Sequence, residues 1–222
     1  MSQSIQSLVE MQGRRWAMSF GHAATIPQPS IAFARLRYSG AHEIAKQVAD
    51  QLGLGFFGAE IVDQIAQDEG VSRDLVAGLD ERVQNVIERY VIDGFRHRQF
   101  EESDYVRGVT RVVTTLARRG RVVLLGRGAS AIVDPAHALR VFVVAPKAWR
   151  AARLIEMHPT TVRAADERID LEDRERLEFN RRSFRVDPLD PLNYDLVVNT
   201  ASLGIPASTA TIVEAFRRRF AG

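Results

Sequence analysis

Three short stretches of this chain carry residue types suited to holding phosphate. The first, Arg35-Leu36-Arg37-Tyr38-Ser39-Gly40-Ala41-His42-Glu43-Ile44, lies between an apolar run and a helical pattern. A turn in that position presents free backbone N–H groups to an anion, and glycines let a ligand approach the backbone closely. Handling β- and γ-phosphates further calls for a lysine, and for a Ser or Thr that meets magnesium. Here only Gly40 is present, no Lys-Ser/Thr pair follows, and His42 stands where the helix begins. Taken alone, the turn reads as an ordinary strand-to-helix connection.

The second stretch is Gly126-Arg127-Gly128, directly after the apolar Arg121-Val122-Val123-Leu124-Leu125. An arginine at a strand end can fork onto a phosphate or a base, and it can equally close a surface turn. The third is the charged segment with Asp173, Arg174, Arg176, Arg181, Arg182 and Arg185. Arg176 and Arg181 are spaced so that they roughly share a helix face, although arginine-rich helices are commonly plain solvated surface. Other chemistries find less support. His22, His42, His97, His137 and His158 form no pair at metal-ligand spacing, so no zinc site is expected and no residue is assigned to a metal. Ser39 lies near His42, but no Gly-x-Ser-x-Gly elbow exists. Arg96, His97 and Arg98 beside Phe95 and Phe100 read as a helix end next to core aromatics rather than as an RNA contact.

The elements that must position these residues follow from pattern. Ile31–Ala34, Arg121–Leu125, Leu139–Val144 and Tyr194–Val198 are continuous apolar runs, the pattern of buried parallel strands, and residues 53–58 suggest a short further strand between breakers. Helical spacing covers Glu43–Leu52, roughly 59–69, 72–78, 80–100 and 103–119, then Lys147 to about Met157, and Pro206–Phe220 with Pro206 at the start. Residues 163–185 have the composition of a solvated helical hairpin. Alternating strands and helices predict an α/β domain, a parallel sheet with helices on both faces. Val83, Val86, Ile87, Tyr90 and Val91 give the long helical interval a buried face, turned either to its own core or to a second subunit in a homodimer.

Composition bounds the rest. The 222 residues, 45% of them hydrophobic, suffice for one domain with a substantial core. The absence of cysteine excludes disulfides and thiolate chemistry and fits a cytoplasmic setting. A net charge of +2 argues against a dedicated nucleic-acid binder, even though Lys46 and Lys147 are the only lysines among 30 basic residues. No stretch reaches the length of a membrane span, and residues 1–29 read as a loosely ordered arm.

From Ile31 onward the order of motifs resembles the cytidylate kinase-like family. The likeness rests on Ser39-Gly40 with Glu43-Ile44-Ala45-Lys46, Leu52-Gly53, Phe56-Phe57 and Val123-Leu124-Leu125-Gly126-Arg127-Gly128. It continues through Leu139-Arg140-Val141-Phe142-Val143, Ala145-Pro146, Asp173 with Arg176, Asn193-Tyr194-Asp195-Leu196, Asn199-Thr200 and Leu203-Gly204. The resemblance implies a three-layer P-loop kinase-like domain over 30–222, with a helical insertion at 59–119 and an arginine-rich lid at 160–187. It implies that Ser39 and Gly40, with His42 as a weak stand-in for the basic residue, meet nucleotide phosphate, that Arg127 holds the acceptor, and that Arg176 and Arg181 act from the lid. Arg37 enters on chemistry instead, as a loop arginine that can reach a phosphate bidentately in place of the missing cation. The implied reaction moves the γ-phosphoryl group of ATP, with Mg²⁺, to a pyrimidine monophosphate such as CMP. Departures gather in the loop. Tyr38 and Ala41 replace glycines, His42 replaces a basic residue, and Gly58 stands where an aspartate is usual. Each added Cβ is expected to oppose positive φ or close approach. The sequence therefore leaves two readings open, an active kinase and a catalytically inactive nucleotide sensor or protein-interaction module.

Overall fold

The computed structural model describes residues 28–67, 75, 81–97 and 103–220. The expected arm therefore lies outside the described residues except for 28–29, as does most of the helical pattern at 72–78. The strands are β1 (Ser30–Arg35), β2 (Gly55–Phe57), β3 (Val122–Leu125), β4 (Ala138–Val144) and β5 (Leu196–Asn199). Between and after them run α1 (Ala41–Leu52), α2 (Ala59–Gln67), α3 (Glu81–Arg96), α4 (Asp104–Arg119), α5 (Ala129–Ile132), α6 (Lys147–Met157), α7 (Val162–Phe184) and α8 (Thr200–Phe220).

The five strands form one sheet in the order β2-β3-β1-β4-β5, every pairing parallel. A parallel sheet is covered on both faces because each crossover lays a helix against it. Alternation along the strands divides the core accordingly. Ile31, Phe33, Val123, Leu125, Val141 and Val143 face α1 and α8. Ala32, Val122 and Leu124 face the helices of the 59–119 interval. There Ile87 and Val91 are buried, while Val83 and Tyr90 pack against the same cluster. The apolar face of α3 thus meets its own core, and Val86 is exposed.

Helix boundaries follow local chemistry. Gly53, at φ 62°, ends α1 and returns its N–H toward Ala49 and Asp50. Ser103 caps α4 by accepting from the Val106 N–H. Gly204, at φ 72° and ψ 167°, breaks the last helix, so its main part restarts near Pro206. The charged segment is a correction: α7 is one continuous helix of 23 residues, not a hairpin. No glycine or proline interrupts it, and the i,i+4 ion pairs Arg163–Glu167 and Arg168–Glu172 support it. No described helix is long and apolar enough to cross a membrane.

Candidate functional site

Because all strands run parallel, their carboxyl ends share one edge, and the polar residues after β1 and β3 meet there beneath α7. The turn after β1 is fixed from inside and outside. The Leu36 N–H donates to the Val143 carbonyl at 3.1 Å, and Ser39 Oγ donates to the Leu36 carbonyl at 2.8 Å. Gly40 sits at φ 81° before the first turn of α1. Tyr38 holds φ 61° although it is not glycine. The expectation that its Cβ blocks positive φ is thus overturned. The left-handed backbone costs on the order of 1 kcal/mol, and contacts to α7 offset it.

Those contacts come from two neighbouring carboxylates. Glu172 accepts from Tyr38 Oη at 2.8 Å and Arg168 Nε at 2.8 Å, and it forms an ion pair with Arg37. Asp173 accepts from the Arg37 N–H at 3.3 Å and from Arg150 Nη1 at 2.7 Å. Arg150, 5% exposed, also donates to the Arg37 carbonyl at 3.2 Å and to that of Ala145 at 3.1 Å. Burial alone would raise the Glu172 carboxyl, but the hydrogen bonds from Arg168, Tyr38 and Arg37 hold it below the usual range. The loop's own cation is therefore neutralised by the helix lying over it. Beside the loop lies a cleft of about 220 Å³ whose lining includes Arg35, Tyr38, His42, Glu60, Arg153 and Arg168. His42 is exposed there, edge-on to Phe56 with ring centroids 5.4 Å apart.

The end of β3 is built differently. Gly126, Arg127 and Gly128 all take positive φ, at 87°, 52° and 69°. A Cβ on Gly128 would lie 2.0 Å from the Phe184 ring, so glycine there is what lets α7 close onto the sheet edge. Arg127 pairs with Asp63 of α2, which accepts in turn from Tyr105 Oη of α4 at 2.7 Å. Burial first, and then the bond to Asp63, push the Tyr105 hydroxyl up to about 12. Arg176 of α7 and Arg35 of β1 converge beside Gly126. A Cβ built there would lie 3.0 Å from Arg35 Nη1 and 3.8 Å from Arg176 Nη1. Arg35 Nη1, Arg127 Nε and Arg176 Nε are buried without a hydrogen-bond partner among the described residues. Burial, then the charges of Arg37 and Arg127, push Arg176 down to about 10. The cavity between them is narrow, about 30 Å³. It adjoins a second of about 370 Å³, with Ser130, Asn180, Pro188 and Tyr194 common to both.

The structure thus brings Arg127 and Arg176 together and sets Arg37 in the loop with Ser39, Gly40 and His42 nearby. Ser39 Oγ is committed to the turn itself. Arg181 stands apart, exposed and paired with Asp187 at 3.1 Å, because five helical residues turn it about 140° from Arg176. Sequence reasoning missed Arg35, Asp63, Tyr105 and Glu172. A charge ending an apolar strand was a usable signal for Arg35, whereas the others are ordinary polar positions on helices. For magnesium, the residues do not fit a protein-held ion. The start of α1 offers Ala41 and His42 rather than a hydroxyl, and no group of three or more His, Asp or Glu among the described residues could hold a metal.

A parallel sheet in this order, a phosphate-loop-like turn after its central strand and an arginine-bearing helix over that turn define a P-loop kinase-like α/β protein. More particularly, residues 30–202 match the model of the Cytidylate kinase-like family, and the chain belongs to that family. It is 27% identical over 176 residues to a cytidylate kinase of Ignicoccus hospitalis, covering 78% of this chain and 91% of that one. A match of 31% over 99 residues to a uronate isomerase of Corynebacterium glutamicum covers 44% of this chain and spans only 19% of that protein's length. Among solved structures, an uncharacterized protein from Eubacterium ventriosum aligns with TM-score 0.71 at 18% identity, over 86% of this chain and 99% of that one. TT1252 from Thermus thermophilus aligns with TM-score 0.52 at 14% identity, over 88% and 100%. These likenesses concern the fold.

Proposed function

We propose that this protein binds a nucleoside monophosphate of the CMP type, with its phosphate on Arg127 and Arg176. One observation carries the reading: Arg127 and Arg176 line the same cavity at the sheet edge, and each has a buried Nε with no hydrogen-bond partner among the described residues. Buried donors without acceptors are costly, and a phosphate dianion is the ligand class that satisfies two arginine forks at once. The neighbouring cavity of about 370 Å³ offers room for the nucleoside. On this reading the chain acts as a kinase-like nucleotide sensor in the cytoplasm. Its donor loop lacks the lysine and the hydroxyl, and Glu172 occupies its arginine.

A second reading, transfer of the ATP γ-phosphoryl group to that monophosphate, is favoured by one feature. The cleft beside the loop and the arginine cavity are both lined by Arg35, so donor and acceptor sites would adjoin. Arg37 would meet the donor phosphates, and Mg²⁺ would be carried by the nucleotide itself. Calorimetric titration with CMP and with ATP, each with and without Mg²⁺, separates the readings. Binding of CMP alone supports the sensor. Saturable ATP binding that Arg37→Ala weakens supports the kinase and calls for a coupled turnover assay. No heat from either ligand, in protein shown to be folded, removes the nucleotide reading.

A further inference from the structure

We propose that Arg35, the last residue of β1, is a bridging cation that contacts anionic groups in both cavities at once. It thereby does from the strand end what the loop's missing lysine cannot do from the start of α1. The inference rests on the nucleotide reading for the identity of the ligand, but not for its charge.

Four observations converge. Arg35 lines both the cleft beside the loop and the arginine cavity, and is thus placed to face a phosphate on either side. Its Nη1 is buried and makes no hydrogen bond among the described residues. That nitrogen converges with Arg176 Nη1 on Gly126, where the lack of a side chain keeps the space between them open. Finally, Arg35 is buried close to three other arginines. Burial foremost, then Arg176, Arg37 and Arg127, push it down to about 9, with Glu60 as the opposing charge. A guanidinium retained for packing or pairing would have an acceptor on its buried nitrogen, as Arg150 has in Asp173. Arg35 has none among the described residues. Like charges held close together in a buried setting destabilise the ligand-free fold, and a polyanion reverses the sign. The ligand class is a phosphate chain, or two phosphates brought end to end, and the planar fork of arginine suits it to contact both.

The test compares the full chain with Arg35→Met and Arg35→Lys by calorimetry against inorganic pyrophosphate, CMP and ATP, alongside thermal unfolding without ligand. Arg35→Met is expected to weaken pyrophosphate and ATP by roughly tenfold or more and CMP by a similar factor, the loss of a charged hydrogen bond on each side. The same change is expected to raise the ligand-free Tm by roughly 3 °C, since it removes a buried charge among like charges. Arg35→Lys is expected to recover part of the affinity. A lower Tm with affinities within about twofold of wild type would overturn the proposal and make Arg35 a structural residue. Loss of CMP binding with pyrophosphate unchanged would also overturn it, since Arg35 would then serve one cavity only. Wild-type protein that takes pyrophosphate, sensitive to Arg35→Met, yet neither nucleotide would remove the nucleotide reading and leave the bridging site standing. Wild-type protein that binds none of the three would remove both.

Discussion

The turns after β1 and β3 end on the same edge of one sheet, both carry arginines, and they treat those arginines in opposite ways. After β1, Arg37 is matched by Glu172, and Asp173 with Arg150 ties the loop backbone to α7. After β3, Arg127 has Asp63 on one nitrogen while its Nε, together with Arg176 Nε and Arg35 Nη1, is left without an acceptor. The first arrangement is internally satisfied and stabilises the fold. The second leaves buried guanidinium N–H donors unsatisfied, which is a condition for binding an anion. Positive charge near a sheet edge is therefore a poor guide to a site until its partners are known.

The contrast yields graded expectations. Asp173→Ala should have the largest effect. It strips the carboxylate from buried Arg150 and frees the loop backbone, so a loss of about 3 kcal/mol is expected. Urea denaturation should show a lower midpoint at an unchanged m-value, and an unchanged midpoint would mean that the loop does not depend on α7. Arg176→Ala comes next and should act on binding, with CMP affinity falling roughly tenfold to a hundredfold while the ligand-free Tm holds or rises. A fall in Tm with affinity intact would place Arg176 among the structural arginines.

Glu172→Gln should do something smaller and opposite. Freed from its ion pair, Arg37 should bind ATP or pyrophosphate several-fold more tightly, at a modest cost in stability. The pH dependence has a definite sign. Because the folded carboxyl lies below the ordinary value of 4.5, its contribution is complete above that pH. It is lost as pH falls through the lower folded value, so wild-type and variant unfolding curves should draw together in acid. Curves that stay parallel would show that the charge of Glu172 is not what holds the loop. Arg181→Ala should be the smallest change. Its pair with Asp187 is exposed and neither residue lines either cavity, so CMP affinity should stay within about twofold and Tm should not move. A larger loss would mean that α7 shifts on binding and carries Arg181 inward.

Much of the fold was legible because its signals are local. Lys147–Met157 and the strand at Leu139–Val144 fall where apolar spacing and the breaker Pro146 put them. The hairpin expected at 163–185 failed for a local reason as well, since charge density alone was read as a turn where no breaker exists. The positive φ of Tyr38 was misjudged because side-chain size was weighed without the tertiary contact that holds it.

What the sequence determined by itself was the order of elements, the parallel sheet they imply, and which arginines lie at strand ends. Apolar runs, breakers and helical period act over a few residues and need no knowledge of the rest of the chain. What only the tertiary structure decided was which arginine nitrogens are paired and which are left without an acceptor among the described residues. Arg37 meets Glu172 across 135 positions, and Arg127 meets Asp63 across 64. No local pattern distinguishes those carboxylates from their solvated neighbours. Their pairing is set by how α2 and α7 pack against the sheet edge, and the guanidinium donors left over after that packing mark the candidate site.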